Sequence, residues 1–171
     1  TGLTTNEAGG NLDINNGVAF GGNIDNDGIM TLHGAVTGTV DTSNSVTIDG
    51  ASSISSTLDI TSATGAVIVG SNLAVTGQTT VGANALLDVD AMFTGNVTNN
   101  GNLDVDGNLT GDVINTALAD NAGTITGLVT SNGGTFTNTG TAGAYTQTAG
   151  ASNLQGNVTN NLTLSAGTTT I

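Results

Sequence analysis

Short apolar alternations, separated by glycine, asparagine and aspartate, recur along most of the 171-residue chain. In each alternation two apolar residues flank a third residue, so the two point to one face of an extended strand and the third points to the other. This period-two pattern predicts short β-strands joined by Gly/Asn turns. The apolar pairs are Leu12/Ile14, Val18/Phe20, Val46/Ile48, Leu58/Ile60, Leu73/Val75, Leu87/Val89, Leu103/Val105 and Leu162/Leu164.

Two finer repeats indicate that these strands belong to one repetitive architecture. The motif G-N-[LV] occurs every six residues, at 95–97, 101–103 and 107–109. A four-residue motif ending in Thr recurs every eleven residues between 123 and 170. Two of the longer units would make a coil of about 22 residues, which predicts an all-β, parallel β-solenoid (β-helix) of roughly eight coils built from short Gly/Asn/Thr-rich repeats.

The predicted solenoid covers residues 1–171 as a single repetitive domain. Residues 113–122 break the G-N rhythm and are predicted to form an irregular loop or a distorted coil. We expect a thin core of Val, Ile, Leu and Ala, with Asn at coil corners stacked into hydrogen-bonded ladders. The open ends of a solenoid favour end-to-end stacking, flanking domains or a trimeric partner. The pattern leaves open the handedness, the coil register and the choice between a monomeric and a trimeric solenoid.

The net charge of the chain limits the classes of partner that it can bind. It contains 13 acidic residues, no Lys, no Arg and one His, which gives a formal net charge of −13. Nucleic-acid binding is excluded because neutralising phosphates requires Lys or Arg, and an anionic membrane surface would repel the chain. The longest apolar run, AVIV at 66–69, is far too short to insert into a membrane. The remaining partners are cations, neutral glycans and other copies of the chain.

Calcium is the cofactor that the carboxylates suggest. Asn23, Asp25, Asp27 and Gly28 form N-x-D-x-D-G, the first half of a calcium-loop pattern, although Gly34 stands where the final Glu ligand belongs. Two further pairs with i, i+2 spacing would repel one another on a strand face unless a divalent ion bound them. The alternative interpretation is that all of these side chains are solvated surface groups. The two strand pairs are Asp88/Asp90 and Asp104/Asp106.

Threonine supplies a second candidate surface. Three T-x-T units lie eleven residues apart, and stacked in register they would form a flat array that binds ice or a regular glycan. The alternative is that Thr simply favours strands on a solvent-facing sheet. The three units are Thr124/Thr126, Thr135/Thr137 and Thr146/Thr148.

The chain contains few residues of the types that catalyse reactions, so we predict that it is not an enzyme. It has no Cys or Lys nucleophile and no cluster of His. A Ser–His–Asp set would need His33, and TLHGAV (31–36) does not resemble a nucleophile elbow. We expect His33 to be a surface or corner residue.

Several stretches resemble repeat regions of bacterial surface proteins. GNLDVDGNLTGDV (101–113), GGTFTNTGTAGAYTQTAG (133–150) and NLQGNVTNNLTLSAGTTTI (153–171) are similar to β-solenoid passenger domains of autotransporters and to filamentous-haemagglutinin-type adhesins. SNLAVTGQTTVGANALLDVD (71–90) resembles repeats of phage tail fibres and surface-layer proteins. The resemblance implies a secreted, rod-like scaffold and identifies no functional residue.

Together these features predict a structural extracellular protein, a self-associating subunit of a fibre, a surface layer or an adhesin stalk. Its partners would be other copies of itself, and neutral glycans are a further candidate. The alternatives are a binding module that recognises glycan or ice through a Thr-rich face, and a segment of a phage tail fibre.

Overall fold

A computed structural model describes residues 2–62 and 64–171, and its 23 strands form one continuous parallel sheet. The sheet winds into a β-solenoid of about ten turns, with three sides to each coil. Four long strands bend around corners and contribute to more than one side: β12 (Leu73–Val81), β14 (Met92–Asn99), β19 (Thr124–Asn138) and β20 (Thr141–Leu154). The all-β parallel solenoid predicted from the sequence is therefore confirmed.

Side 1 opens each coil and stacks ten strand segments, so we number the coils by it. Adjacent segments pair in parallel register, as in Thr4–Ile24 and Val97–Val113. Besides segments of β12, β14, β19 and β20, side 1 contains β1 (Gly2–Asn6), β4 (Gly22–Asn26), β7 (Val40–Thr42), β10 (Leu58–Ile60), β17 (Val113–Asn115) and β22 (Leu162–Leu164).

Sides 2 and 3 follow in the same order in each coil. Side 2 contains β2 (Asn11–Ile14), β5 (Ile29–Leu32), β8 (Ser45–Ile48), β11 (Ala66–Val69), β13 (Leu86–Val89), β15 (Asn102–Val105), β18 (Leu118–Asn121) and β23 (Thr168–Thr170), with segments of β19 and β20. Side 3 contains β3 (Ala19–Phe20), β6 (Ala35–Val36), β9 (Ser52–Ile54), β16 (Asn108–Thr110) and β21 (Asn157–Val158), with segments of the four long strands.

Coil length corrects the sequence-based prediction. Paired residues on successive coils are 16 to 21 positions apart, instead of 22, so the chain forms about ten coils and not eight. The six-residue G-N-[LV] motif marks one side, because Val97, Leu103 and Leu109 lie on sides 1, 2 and 3 of one coil. The eleven-residue motif therefore spans two sides. With nine steps of roughly 4.8 Å between ten coils, the rod is about 43 Å long.

The prediction of an irregular loop at 113–122 was wrong. These residues form β17 and β18, which pair in register with the coil before them. Val113, Asn115, Ala119 and Asn121 all point inward and are buried, so the strand alternation continues through the segment. The G-N rhythm stops there only because other residues occupy the turns.

The interior is a narrow, mainly aliphatic core whose buried members lie between Ile14 and Leu154. Its members are almost fully buried Val, Ile and Leu residues, as the sequence predicts. Aromatic rings also fill part of the core, where Phe136 and Tyr145 stack with ring centroids 5.1 Å apart. The hydroxyl groups of Tyr145 and Ser152 are hydrogen-bonded to each other inside the core.

Ladders of buried asparagine run along the inside of two corners, which confirms the predicted stacking. Asn6 donates to the side chain of Asn26 over 2.6 Å, and Asn99 donates to that of Asn115 over 2.8 Å. A further amide bond of 2.6 Å joins the side chains of Asn121 and Asn138. Each amide also donates to a main-chain carbonyl of its own or the next coil, as Asn99 does to Leu118 over 2.7 Å. The ladders therefore satisfy polar groups where the chain turns.

Glycine is required at the corner between sides 2 and 3 in coils 6 to 9. A Cβ atom at Gly107, Gly123, Gly140 or Gly156 would lie within about 2.1 Å of a carbonyl oxygen of the coil below. The corner can thus turn tightly only because these positions carry no side chain.

Across the described ranges, no helix is long and apolar enough to cross a membrane.

Candidate functional site

An acidic ladder runs along side 1 in coils 2 to 4. Asp25, Asp41 and Asp59 occupy equivalent outward positions on β4, β7 and β10. Paired residues on neighbouring strands are about 4.8 Å apart, so these carboxylates lie close together without a basic neighbour. Partial burial raises the pKa of Asp41, and the charges of Asp59, Asp25 and Asp27 raise it further, although a hydrogen bond from Thr61 opposes them. At neutral pH the ladder is a line of mutually repelling charges.

The N-x-D-x-D-G segment lies along a strand and its corner. Asn23 and Asp25 point outward from β4, and Asp27 follows at the corner. The Asn23 side chain accepts a hydrogen bond from the Thr39 N–H over 3.0 Å, and the Asp27 carboxylate accepts one from the Ser43 hydroxyl. These contacts join neighbouring coils. The segment therefore does not wrap around a central point as a calcium loop does.

A second acidic ladder occupies side 2 in coils 5 to 7. Asp88, Asp104 and Asp120 occupy equivalent positions on β13, β15 and β18. Asp90 and Asp106 follow two residues after Asp88 and Asp104 and are exposed at the next corner. The structure therefore brings both predicted pairs together as neighbours on successive coils.

Burial and like charge also act on this second ladder. Partial burial raises the pKa of Asp88, and the charges of Asp90, Asp104 and Asp106 add to the effect. Partial burial likewise raises the pKa of Asp104, with further contributions from Asp106, Asp120 and Asp90. Both ladders are thus places where adding a proton or a cation relieves repulsion.

The carboxylates stack along the rod and do not converge. Within the described part of the chain, no group of three or more Asp, Glu or His side chains is arranged closely enough to hold a metal ion. Oxygen atoms from several ligands must surround a calcium ion, whereas a ladder presents them in a row. Calcium binding at the seven predicted residues stays a prediction.

His33 lies at the corner after β5, as the sequence predicts, and joins three coils. Its Nδ1 atom is 2.6 Å from a carboxylate oxygen of Asp49, and its Nε2 atom is 3.6 Å from one of Asp13. These carboxylates belong to the coils above and below His33. In a chain without Lys or Arg, this imidazole is the one side chain that can neutralise a neighbouring carboxylate.

An open groove of about 480 Å³ runs along side 3 beside His33. Its floor consists of small outward residues, Ala19, Ala35, Ser53 and Ala74, with Met92 at one end. The nearby Ser52 hydroxyl lies within hydrogen-bonding distance of the Leu32 and Gly50 carbonyls, at 2.9 Å and 2.8 Å. That hydroxyl is therefore engaged by the main chain and not by the imidazole.

The three T-x-T units do not stack on one another, which corrects the predicted array. Thr124, Thr135 and Thr146 lie on sides 3, 2 and 1, because eleven residues span two sides of a coil. A different threonine ladder forms on side 1 above the acidic ladder, interrupted once by Ile114. Its members are Thr80, Thr98, Thr130, Thr146 and Thr163.

Three members of the acidic ladders were missed from the sequence: Asp41, Asp59 and Asp120. The signal was present, since Asp88, Asp104 and Asp120 are 16 residues apart, which is the length of one coil there. The longer coil assumed from the Thr motif concealed that spacing.

No protein-family model, no curated protein and no solved structure matches this chain. The fold and the placement of its charges are therefore the basis for inferring function.

Proposed function

We propose that this chain is a structural rod, a segment of an extracellular fibre, surface layer or adhesin stalk that associates with copies of itself. The observation that supports the proposal is the uninterrupted parallel pairing through about ten coils. Each coil rests on the next through main-chain hydrogen bonds and a continuous core, which is how solenoid proteins maintain an extended shape. Such a rod spaces or connects other components.

The composition of the surface fits an extracellular rod. The chain offers trypsin-like proteases no Lys or Arg, and its side chains carry 13 carboxylates that keep it soluble. The same charge opposes association of copies unless salt or divalent cations screen it. Calcium bound along the two acidic ladders would therefore promote association.

Electron microscopy of the purified chain, with and without millimolar calcium, tests this proposal. We expect straight particles of uniform width that lengthen or pair as concentration rises, and more of them with calcium. Isolated particles at every concentration in both conditions would contradict self-association. Replacing Asp88 and Asp104 with Asn is the matched variant: it should reduce the response to calcium, because only the side 1 ladder stays intact, and it should preserve the rod.

The second candidate is a binding module for glycan or ice. The threonine ladder of side 1 is the observation that favours it, since it presents methyl and hydroxyl groups at the regular strand spacing. A shift in melting temperature with a neutral polysaccharide, or thermal hysteresis in freezing solution, would support this function. Neither effect is expected of a rod that only associates with itself.

A further inference from the structure

Charge is segregated along the rod. All 13 acidic residues lie between Glu7 and Asp120, and residues 121–171 contain no Asp, Glu, His, Lys or Arg. The segregation is sharpest on side 1, where the acidic ladder of coils 2 to 4 gives way to the threonine ladder. One side of the rod is therefore charged over its first part and nearly neutral over the remainder.

We call the outward residues of side 1 between 78 and 163 the threonine face. It carries one carboxylate, Asp112, which lies towards the edge and accepts a hydrogen bond from the Leu128 N–H over 2.8 Å. Two exposed apolar side chains, Ile114 and Leu128, stand among the threonines with 43% and 38% of their surface accessible. The face combines methyl groups, hydroxyl groups and aliphatic side chains on the flat surface of a sheet.

The size of the face suits a weak contact between proteins. Six coils of about 4.8 Å and five residues of about 3.4 Å give a face of roughly 29 Å by 17 Å, or about 490 Å². Two such faces in contact would bury roughly 1,000 Å², at the lower limit for specific interfaces. A contact of this size forms and dissociates with concentration.

We propose that two copies of this chain pack threonine face to threonine face, with antiparallel rod axes and overlap limited to coils 5 to 10. The proposal rests on the self-associating rod proposed above and assigns the surface through which copies meet. Coil 5 of one copy then faces coil 10 of its partner. The side 1 acidic ladders of the two copies, in coils 2 to 4, then lie beyond opposite ends of the contact.

Charge excludes the other side-by-side arrangements of this face. A parallel, in-register pair would place Asp25, Asp41 and Asp59 opposite the same three residues of the partner. An antiparallel pair overlapping along its full length would press those carboxylates against the uncharged Thr146, Thr130 and Ile114 and strip them of water. No Lys or Arg of the partner can offset either cost, because the chain contains none.

A second copy fits the face better than a sugar does. Glycan sites commonly stack sugar rings on exposed aromatic side chains, but Phe93, Phe136 and Tyr145 are fully buried in the core. Phe20 is on side 3, away from the threonine face. The flat aliphatic and hydroxyl surface instead matches a copy of itself, as a two-fold contact requires.

Sedimentation velocity across a concentration series, at fixed salt, tests the contact. We expect a monomer–dimer equilibrium that the double substitution Thr130→Asp and Thr146→Asp weakens roughly tenfold or more, because it places four like charges in the contact. The matched control, Thr31→Asp with Thr47→Asp on side 2, should leave the dimer unchanged. Asp112→Asn should strengthen the dimer, because it removes the one negative charge of the threonine face. The amide oxygen can still accept the hydrogen bond from the Leu128 N–H. Circular dichroism melts establish that each variant folds.

Cross-linking tests the orientation, since the chain has no cysteine of its own. A mixture of Thr80→Cys and Thr163→Cys chains should form disulfide-linked heterodimers, and neither variant alone should do so. Dimers linked through Thr80→Cys alone would indicate a parallel pair and overturn the proposal.

Three further outcomes would also overturn it. Monomers at all concentrations would do so, as would a dimer indifferent to the Thr130→Asp/Thr146→Asp substitution. A monomer whose melting temperature rises with neutral polysaccharide would assign the face to glycan. Rods that still associate in the double variant would refute this contact and leave the proposed structural function standing.

Discussion

Replacing Asn115 with leucine should destabilise the solenoid by about 2–3 kcal/mol, from lost hydrogen bonds partly offset by apolar burial. The Asn115 side chain accepts from the Asn99 amide over 2.8 Å and from the Ala117 N–H over 3.3 Å. It donates to the carbonyls of Thr135 and Ala117 over 3.1 Å and 3.3 Å. One buried and three partly buried bonds at about 1 kcal/mol each give a loss of roughly 4 kcal/mol. Burial of the leucine side chain returns about 1–2 kcal/mol of this.

Urea denaturation followed by circular dichroism measures this loss. The substituted chain should still fold, because Val81 occupies the same inward position two coils earlier. Asn100→Leu is the matched control, since Asn100 is exposed and accepts a single bond from Thr116 over 2.8 Å. It should cost about 0.5 kcal/mol or less, as surface substitutions do. A loss below 1 kcal/mol in Asn115→Leu, or a gain, would refute the conclusion that the amide ladders stabilise the rod.

Three further substitutions or conditions test other parts of the structure. Lowering the pH from 7 to 4.5 should raise the melting temperature. In the folded chain the pKa values of Asp41, Asp88 and Asp104 lie above the ordinary 3.8. The folded state therefore gains stability as the pH falls through those pKa values and loses it as the pH rises. A melting temperature that falls over this range would contradict the repulsion inferred for the ladders. Phe136→Ala removes a buried ring stacked on Tyr145 and should lower the free energy of unfolding, measured in urea, by about 3–5 kcal/mol. The control is Phe136→Leu, which leaves a smaller cavity and should lower it less. Gly123→Ala would place Cβ 2.0 Å from the Gly107 carbonyl oxygen and should lower the free energy of unfolding by about 3 kcal/mol or more. The control is Gly21→Ala, whose Cβ would have no atom within 4 Å and which should leave the free energy of unfolding nearly unchanged in the same assay.

The strands could be predicted from local pattern alone. Leu87/Val89 and Leu103/Val105 alternate with polar residues, and such alternation has one structural solution when one face is buried. The stacking of asparagine could also be predicted, because an amide at a repeated corner finds its partner in the next coil. These features depend on a few neighbouring residues and on a repeat.

The length of the coil could not be predicted in the same way. The six-residue spacing corresponds to one side of the three-sided coil, and the eleven-residue spacing corresponds to two sides. Neither spacing equals the length of a full coil. The step also varies along the chain and reaches 21 residues in places, as between Leu58 and Thr79. A 22-residue period predicts Thr124, Thr135 and Thr146 on one side and does not align Asp41, Asp59 or Asp120 with the other carboxylates.

The candidate sites depend on contacts that sequence distance conceals. His33 meets Asp13 and Asp49 because it lies one coil from each. The acidic ladders arise because like residues return at intervals of one coil. An isolated i, i+2 pair, such as Asp88 and Asp90, gives only half of that arrangement.

The direction of the hydrogen bonds determines how the rod responds to tension. In a solenoid the main-chain bonds run along the rod, so a pull on its two ends loads them lengthwise and opens the coils in turn, like a zipper. A coil of 16 residues would release roughly 50 Å of extended chain as about 4.8 Å of rod is lost. A stalk of this construction would extend under load in a series of small, repeated steps, and each step would dissipate work while the coils beneath it stay folded.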